Sequence, residues 1–336
     1  MKPLEGATAW LITDGKAGHE AQAQGVAEAL GASYEWRRAA PTGIARMLAP
    51  WGPAPKDETW QCAPPWPDVA IGIGRTAMPA LSRLHRLAGP ATFTVALQDP
   101  RTWARIADLI WVPEHDRRRG SNVITTLTAP HRFTPAMLDA LRAQPHARID
   151  ALPAPRVMVA IGGDAQAWRF TVDDAARLAS AIQAMGGQGA SFMVTTSRRT
   201  PAVVTTAVSR ALQTLPHVLY TGEGDNPYAR FLAKADAILV TADSVSMTCE
   251  ALASGRPVYV FRPTGGSDKF RRFHDSLQAC GATRPLETDC HLALDWAHRP
   301  ILAADLIARA IAERILNRRR YIGSPSGAKC LTDVRK

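Results

Sequence analysis

The sequence predicts an α/β protein made of two doubly wound domains, and three observations carry that expectation. Short apolar runs suited to buried strands alternate with helix-length stretches along most of the chain. The 336 residues exceed one typical domain and suit two. A Pro-punctuated stretch near the middle, QPHARIDALPAPR, reads as a linker. These place a first domain at 1–150, a second at 151–320 with a final helix, and a loose tail at 321–336.

Taken in order, Ala7–Thr13 is the first strand and Glu20–Leu30 a helix closed by Gly31. Residues Pro41–Pro67, rich in Pro and Trp, read as irregular. Val69–Ile73 is a strand, Ala77–Leu87 a helix closed by Gly89, and Thr92–Leu97 and Leu109–Val112 are strands. The second series has strands at Arg156–Ile161, Ser191–Thr195, Val218–Tyr220, Ala237–Val240 and Pro257–Phe261. Helices at Thr171–Met185 and Pro201–Thr214 lie between them, and a last helix covers about Ala303–Arg319. Strand–helix alternation of this kind demands parallel sheets with right-handed crossovers.

A net charge of +10 and a pI near 9.8 point to an anionic partner. The basic runs Arg117–Arg119 and Arg318–Arg320 also read as solvated loops or helix ends. Zinc-finger spacing and RNA-recognition aromatics are missing, which disfavours nucleic acid. The five cysteines (Cys62, Cys249, Cys280, Cys290, Cys330) form no CxxC, which argues against a disulfide framework or a zinc site. No signal-peptide pattern and no apolar stretch of spanning length occur, so the expected place is the cytoplasm. Peripheral contact with an anionic inner membrane is a further expectation, drawn from the basic charge and from Trp51, Trp60 and Trp66 as exposed candidates.

In open parallel sheets, ligands bind outside the carboxyl ends of the strands. Polar, glycine-rich sequence concentrates there. Asp14-Gly15-Lys16-Ala17-Gly18-His19 follows the first strand, Gly74-Arg75-Thr76 the next, and Gln98-Asp99-Pro100-Arg101 another. In the second domain come Gly162-Gly163-Asp164, Thr196-Ser197-Arg198-Arg199, Asp243-Ser244-Val245-Ser246 and TGGSDKFRRFH. Together they describe two domains facing across a cleft, lined with amides and basic groups suited to a phosphorylated ligand. The first loop lacks GxGxxG, and GxxxxGK[ST] and GxSxG are missing, which argues against NAD-dependent, P-loop and hydrolase chemistry.

The stretch VTADSVSMTCEALASGRPVYV is the most informative. A helix beginning near Ser244 puts Ser246, Cys249, Glu250 and Ala253 on one face, and Gly255 and Pro257 end it. Its free amides, with the Ser246 and Thr248 hydroxyls, suit a pyrophosphate. Glu250 repels phosphate and suits a ribose hydroxyl pair. The same residues also fit a plainer role: Asp243 or Ser244 capping, serines tightening the turn, and Glu250 paired with an arginine.

This stretch, together with LITDGKAGHEAQAQGVAEALG, LQDPR, IGGDAQAWRF, GDNPYARFLAKADAILVTADSVSM and GGSDKFRRFHDSL, resembles the mitochondrial fission ELM1 family. Bacterial members are regarded as glycosyltransferases, and the family in turn resembles the GT-B superfamily. The resemblance implies a GT-B fold, with two Rossmann-like domains and a nucleotide-sugar donor on the second. It implies Gly162 and Gly163 near the donor phosphates, and Ser197 and Arg198 at phosphate or base. Asn226 to Tyr228 would lie near the base, Ser244, Ser246 and Met247 at the pyrophosphate, and Glu250 at the ribose.

For the reaction, Lys269, Arg271 and Arg272, with Arg198, are candidates to stabilise the leaving diphosphate without a metal. His19 is the favoured base, because its ordinary pKa lies near neutrality and Gly18-His19 matches a pair in the muramyl-lipid transferase of the superfamily. Capping or loop positioning by His19 is the plainer alternative. Asp14 and Asp99 are alternative bases, and His274 a candidate sugar contact or a structural residue. Lys16 suits an acceptor phosphate. The expected function is metal-independent, inverting transfer of a sugar to an unidentified lipid-linked or saccharide hydroxyl, with no cofactor. Alternatives are a non-catalytic scaffold and a nucleotide-sugar epimerase.

Overall fold

The computed structural model describes residues 2–39, 41, 43–54, 60, 62–102, 105–286 and 291–322. The chain begins β1 (Thr8–Thr13), α1 (Ala17–Leu30), β2 (Ser33–Arg38), α2 (Gly43–Leu48), β3 (Val69–Ile73), α3 (Met78–Ala88), β4 (Phe93–Leu97), β5 (Leu109–Pro113) and β6 (Val123–Thr126). It continues α4 (Pro135–Ala143), α5 (Ala147–Asp150), β7 (Arg156–Ile161), α6 (Val172–Gly187), β8 (Ser191–Thr196), α7 (Ala202–Leu212) and β9 (His217–Tyr220). It closes with α8 (Tyr228–Lys234), β10 (Ala237–Thr241), α9 (Val245–Leu252), β11 (Val258–Phe261), α10 (Asp268–Ala279), β12 (Arg284–Pro285) and α11 (Ala303–Ile322).

Two six-stranded sheets result, every pairing parallel. The central strands are apolar throughout because helices cover both faces: β3, β4 and β10 are buried at every residue. The first sheet has the order β2-β1-β3-β4-β5-β6, so the chain reverses direction across the sheet between β1 and β3. The second has the order β12-β11-β10-β7-β8-β9. Counted from its own first strand this is 3-2-1-4-5-6, the order of dinucleotide-binding sheets, with the reversal between β7 and β10. Those two reversals set where each sheet opens a crevice at its carboxyl edge.

Each sheet has its own core. In the first, Trp10, Ile12, Ala70 and Ile110 pack with Met78, Leu81 and Leu84 of α3. In the second, Val157, Val159, Phe192 and Leu239 pack with Leu178 and Ile182 of α6 and Val204 and Val208 of α7. Both cores are sealed by fully buried aliphatic side chains, each worth about 1.5–3 kcal/mol on burial.

The chain divides into one unit of Met1–Arg132 with Leu302–Lys336 and another of Phe133–Ile301. The expected boundary near 150 therefore differs from the observed one, for a local reason. The stretch read as a linker holds α5, and α4 packs on α8. Arg142 Nε donates to Ala233 O at 2.7 Å, and Lys234 Nζ meets Asp150 Oδ1 at 2.6 Å. The last helix, α11, joins the first unit. It packs on α1, and Arg318 donates to Gly89 O at 3.1 Å and pairs with Asp108 at 3.5 Å.

Three further differences stand out. The Pro- and Trp-rich region holds α2, and β2 and β6 are strands the apolar pattern did not show. Of the three tryptophans expected at the surface, Trp51 is exposed, Trp60 is fully buried and Trp66 packs against the first core. The expected tail from 323 onward, with Cys330, and Cys290 lie outside the described residues. Among the described residues no helix is long and apolar enough to cross a membrane.

Candidate functional site

In the first unit the polar groups gather where the strand order reverses. β1 ends in Thr13, whose Oγ1 accepts from Gly15 N at 3.1 Å and folds the chain back. Gly15 has φ +82°, a conformation open to glycine. The turn brings Asp14 Oδ1 to 2.8 Å from His19 Nδ1, with His19 in the first turn of α1. Lys16 Nζ lies 3.2 Å from Asp14 Oδ2, and Lys16 N donates to Oδ1 at 3.3 Å. Gly74, just after β3, closes the site from behind. A Cβ there would stand 2.7 Å from the Asp14 carboxyl and 2.9 Å from His19 Nδ1, and its φ of +91° also demands glycine. Burial alone would raise the Asp14 carboxyl. The hydrogen bond and charge of His19, with Lys16, outweigh it and hold the group below the usual carboxylate range.

An ionised Asp14 against Nδ1 makes Nδ1 the protonated nitrogen and leaves Nε2 as the accepting one. His19 therefore does not cap α1: the cap residue is Lys16, which makes no side-chain capping bond, and the imidazole is held by Asp14. Asp99 lies apart from this pair, bonded to Arg118 at 2.9 Å and to Arg101 N at 2.8 Å.

The second unit repeats the logic at its own reversal, between β7 and β10. Asp243 is the central post. Its carboxylate accepts from Gly163 N at 2.8 Å and from Thr241 Oγ1 at 2.7 Å, and lies 3.7 Å from Arg199 Nη2. Thr241 Oγ1 in turn accepts from Gly162 N at 2.8 Å. A Cβ on Gly162 would overlap the Asp243 carboxylate, and one on Gly163 the Arg199 carbonyl. The two glycines are thus required for close approach, and both of their amides are engaged within the protein. Burial pushes the Asp243 carboxyl up, partly offset by the Gly163 and Thr241 hydrogen bonds.

Ser197 is similarly committed: Oγ donates to Gly162 O at 2.9 Å and accepts from Arg199 N at 3.2 Å. Arg198, beside it, is exposed. Ser244 rather than Asp243 caps α9, its Oγ accepting from Met247 N at 3.3 Å. The Val245 and Ser246 amides, at the start of the helix, have no acceptor among the described residues. Thr248 is buried, its hydroxyl donating to Ser244 O at 2.9 Å.

Two predicted residues meet directly. Burial, and then the charge of the Glu250 carboxylate beside it, push the Tyr228 hydroxyl pKa well up. The Asn226 side chain accepts from Tyr228 N at 3.0 Å and sets the start of α8. Lys269 and Arg272 lie exposed in the first turns of α10, and Arg271 pairs with Asp268 at 2.6 Å. His274 is structural: it is buried, and Nε2 bonds Ala242 O at 2.8 Å, fastening α10 to the turn after β10. Burial lowers its pKa. Sequence reasoning missed Thr241, and it placed Gly74 and Arg199 in the edge loops without their contacts to Asp14, His19 and Asp243, which come from distant parts of the chain. Among the described residues no cluster of three or more His, Cys, Asp or Glu is placed to hold a metal.

Two Rossmann-like units in one chain, each with its polar loops at the reversal of strand order, define a GT-B protein. The chain belongs to the family described as Mitochondrial fission ELM1, whose model matches residues 17–315. It is 30% identical to the mitochondrial fission protein ELM1 of Arabidopsis thaliana over 276 residues, covering 74% of this chain and 65% of that one. It is 28% identical over 197 residues to an uncharacterized protein, RP120, of Rickettsia prowazekii, covering 57% and 53%. The chain thus spans less than two thirds of the length of either relative. Among solved structures, the UDP-GlcNAc 2-epimerase of Methanocaldococcus jannaschii aligns over 94% of this chain and 99% of its own, at 11% identity and TM-score 0.53. A Listeria monocytogenes chain assigned to the same epimerase class aligns over 96% and 98%, at 12% identity and TM-score 0.50. These likenesses concern the fold.

Proposed function

We propose that the chain is a nucleotide-sugar-dependent glycosyltransferase, with the donor on the second unit and His19 of the first as general base. The observation that carries this reading is the Asp14–His19 pair at 2.8 Å, backed by Gly74 where the first sheet opens. A histidine oriented by an ionised carboxylate suits the removal of a proton from a hydroxyl at neutral pH.

In the second unit, the Val245 and Ser246 amides and the helix dipole of α9 would face the donor diphosphate, with Arg198, Lys269 and Arg272 adding charge. Glu250, beside Tyr228, would accept from the ribose hydroxyls. Gly162, Gly163 and Ser197 would shape the pocket rather than donate to the phosphates. His19 Nε2 then takes the acceptor proton as the acceptor oxygen bonds the anomeric carbon. The bond from that carbon to the diphosphate oxygen breaks, and the nucleoside diphosphate leaves with the electron pair. A single displacement of this kind inverts the anomeric centre.

Calorimetry with UDP, GDP, CMP and TDP and their sugars tests the donor half. Absence of binding at millimolar concentration overturns the reading and leaves the scaffold alternative. Where a nucleotide sugar binds, turnover that depends on an added lipid or saccharide acceptor supports a transferase. Conversion of the sugar without an acceptor identifies an epimerase instead.

A further inference from the structure

Residues Ile44, Met47, Leu48 and Trp51 follow the i, i+3, i+4, i+7 spacing of one helical face, across α2 and the turn after it. That face is not buried. The four side chains are 76%, 79%, 50% and 73% exposed. Single exposed apolar residues are ordinary, but a contiguous row of large ones is not.

The reason the row stays free is visible beneath it. The helix is fastened by its carboxyl end rather than by its apolar face. The Arg75 guanidinium donates to the main-chain oxygens of Arg46, Met47 and Ala49, while Ala49 and Pro50 are buried below. Trp51 N and Gly52 N close the turn on Leu48 O, each at 2.9 Å. The apolar side chains therefore stand proud as a ridge. Basic residues accompany it in sequence: Arg46 is exposed on the same helix, and Arg38, which ends β2 and lies 3.9 Å from Glu20, has a side chain 75% exposed. Residues 39–54 contain no Asp or Glu.

We propose that this ridge docks the first unit on an anionic lipid surface. A partner helix calls for a groove, whereas an exposed apolar row with a tryptophan and an exposed arginine on the same helix matches the interfacial layer of a bilayer carrying negative headgroups. The ridge also adjoins the Asp14–His19 loop through the chain itself. Arg75 pins α2, and its neighbour Gly74 backs the pair. Docking would thus bring the edge of the sheet that carries His19 to the membrane. The docking itself does not depend on the transferase reading.

The test is sedimentation of the full chain with phosphatidylcholine vesicles and with equimolar phosphatidylcholine–phosphatidylglycerol vesicles. The chain should partition onto the mixed vesicles, with a blue shift of tryptophan emission that Trp51→Phe removes. The double variant Met47→Glu, Trp51→Glu should lower partitioning by about tenfold or more. Arg46→Glu should lower it roughly fivefold on mixed vesicles at low salt and leave phosphatidylcholine binding unchanged. These positions are exposed, so unaltered circular dichroism and melting accompany the loss. The proposal is overturned if the native chain ignores mixed vesicles, or if the double variant binds them as well as the native chain. It is also overturned if the ridge instead holds a dimer that the double variant dissociates, with no vesicle binding. Nucleotide calorimetry on the same samples reads the donor site separately, so either reading can fail without the other.

Discussion

Asp14 and His19 act as one device, and exchanging the carboxylate for an amide separates positioning from catalysis. Asp14→Asn removes the anion that keeps Nδ1 protonated, so Nε2 is no longer reliably the accepting nitrogen. Turnover should fall roughly hundred- to ten-thousand-fold, with nucleotide affinity unchanged by calorimetry. Unchanged turnover in this variant would place Asp14 outside the mechanism. In the second unit, Asp243 holds the loops after β7, β8 and β10 together through Gly163 N, Thr241 Oγ1 and Arg199. Asp243→Ala leaves a buried amide and hydroxyl without their acceptor and should cost about 2–3 kcal/mol in urea unfolding. The sequence offered Asp243 only as a candidate cap, because its partner Gly163 lies 80 residues away along the chain. Glu250 and Tyr228 were separately expected near a nucleotide from the family resemblance. Their proximity to each other was not legible, because they stand on two helices that only the folded sheet brings together.

Among the elements, α6 shows most directly how local chemistry and tertiary contact combine. Thr171 and Asp174 form a reciprocal capping box, and Asp174 Oδ2 also accepts from Thr264 N at 3.0 Å, while Arg177 pairs with Oδ1 at 2.6 Å. Burial works to raise this carboxyl, but the amide and arginine contacts win and lower it to about 2. A depressed native pKa means that the unfolded chain binds the proton more readily. The stabilisation is therefore complete above the ordinary carboxylate pKa of about 3.9 and is lost as pH falls toward about 2. Asp243, whose pKa is raised, works in the opposite sense: its contribution is greatest in acid and declines as pH rises. Acid melting curves should thus lose their slope between about pH 4 and 2 in Asp174→Asn, and an unchanged slope would refute the assignment. The strands that sequence reading found, β1, β3, β4, β5, β7, β8, β9, β10 and β11, are buried along most of their length except β9. Those it missed, β2 and β6, lie at opposite edges of the first sheet, where exposed polar residues break the apolar run. An edge strand needs only one neighbour, so its pattern carries less of the signal.

For the chain taken entire, the division into units decides which pieces can fold alone. The second unit, Phe133–Ile301, is continuous in sequence and owns a complete six-stranded sheet and core. The first is discontinuous: α11, far along the chain, packs on α1. This is why the sequence placed the boundary near 150 and gave the last helix to the second domain. Punctuation by proline marks a change of direction, whereas a boundary is set by where packing stops. A fragment 133–301 should therefore unfold cooperatively in urea and, on the proposed reading, bind nucleotide with the affinity of the full chain. A fragment 151–301, cut at the linker, loses α4 from its seat on α8 and leaves Lys234, buried beside Asp150, without its carboxylate partner. Losing that pair and the α4 packing weakens a domain that only roughly 5–15 kcal/mol holds together. The shorter fragment should then show a lowered urea midpoint or no transition at all. Equal midpoints for the two fragments would mean that residues 133–150 are a linker after all. Restoring the midpoint by adding back 133–150, but not the same segment carrying Asp150→Ala, would trace the effect to the Lys234–Asp150 pair.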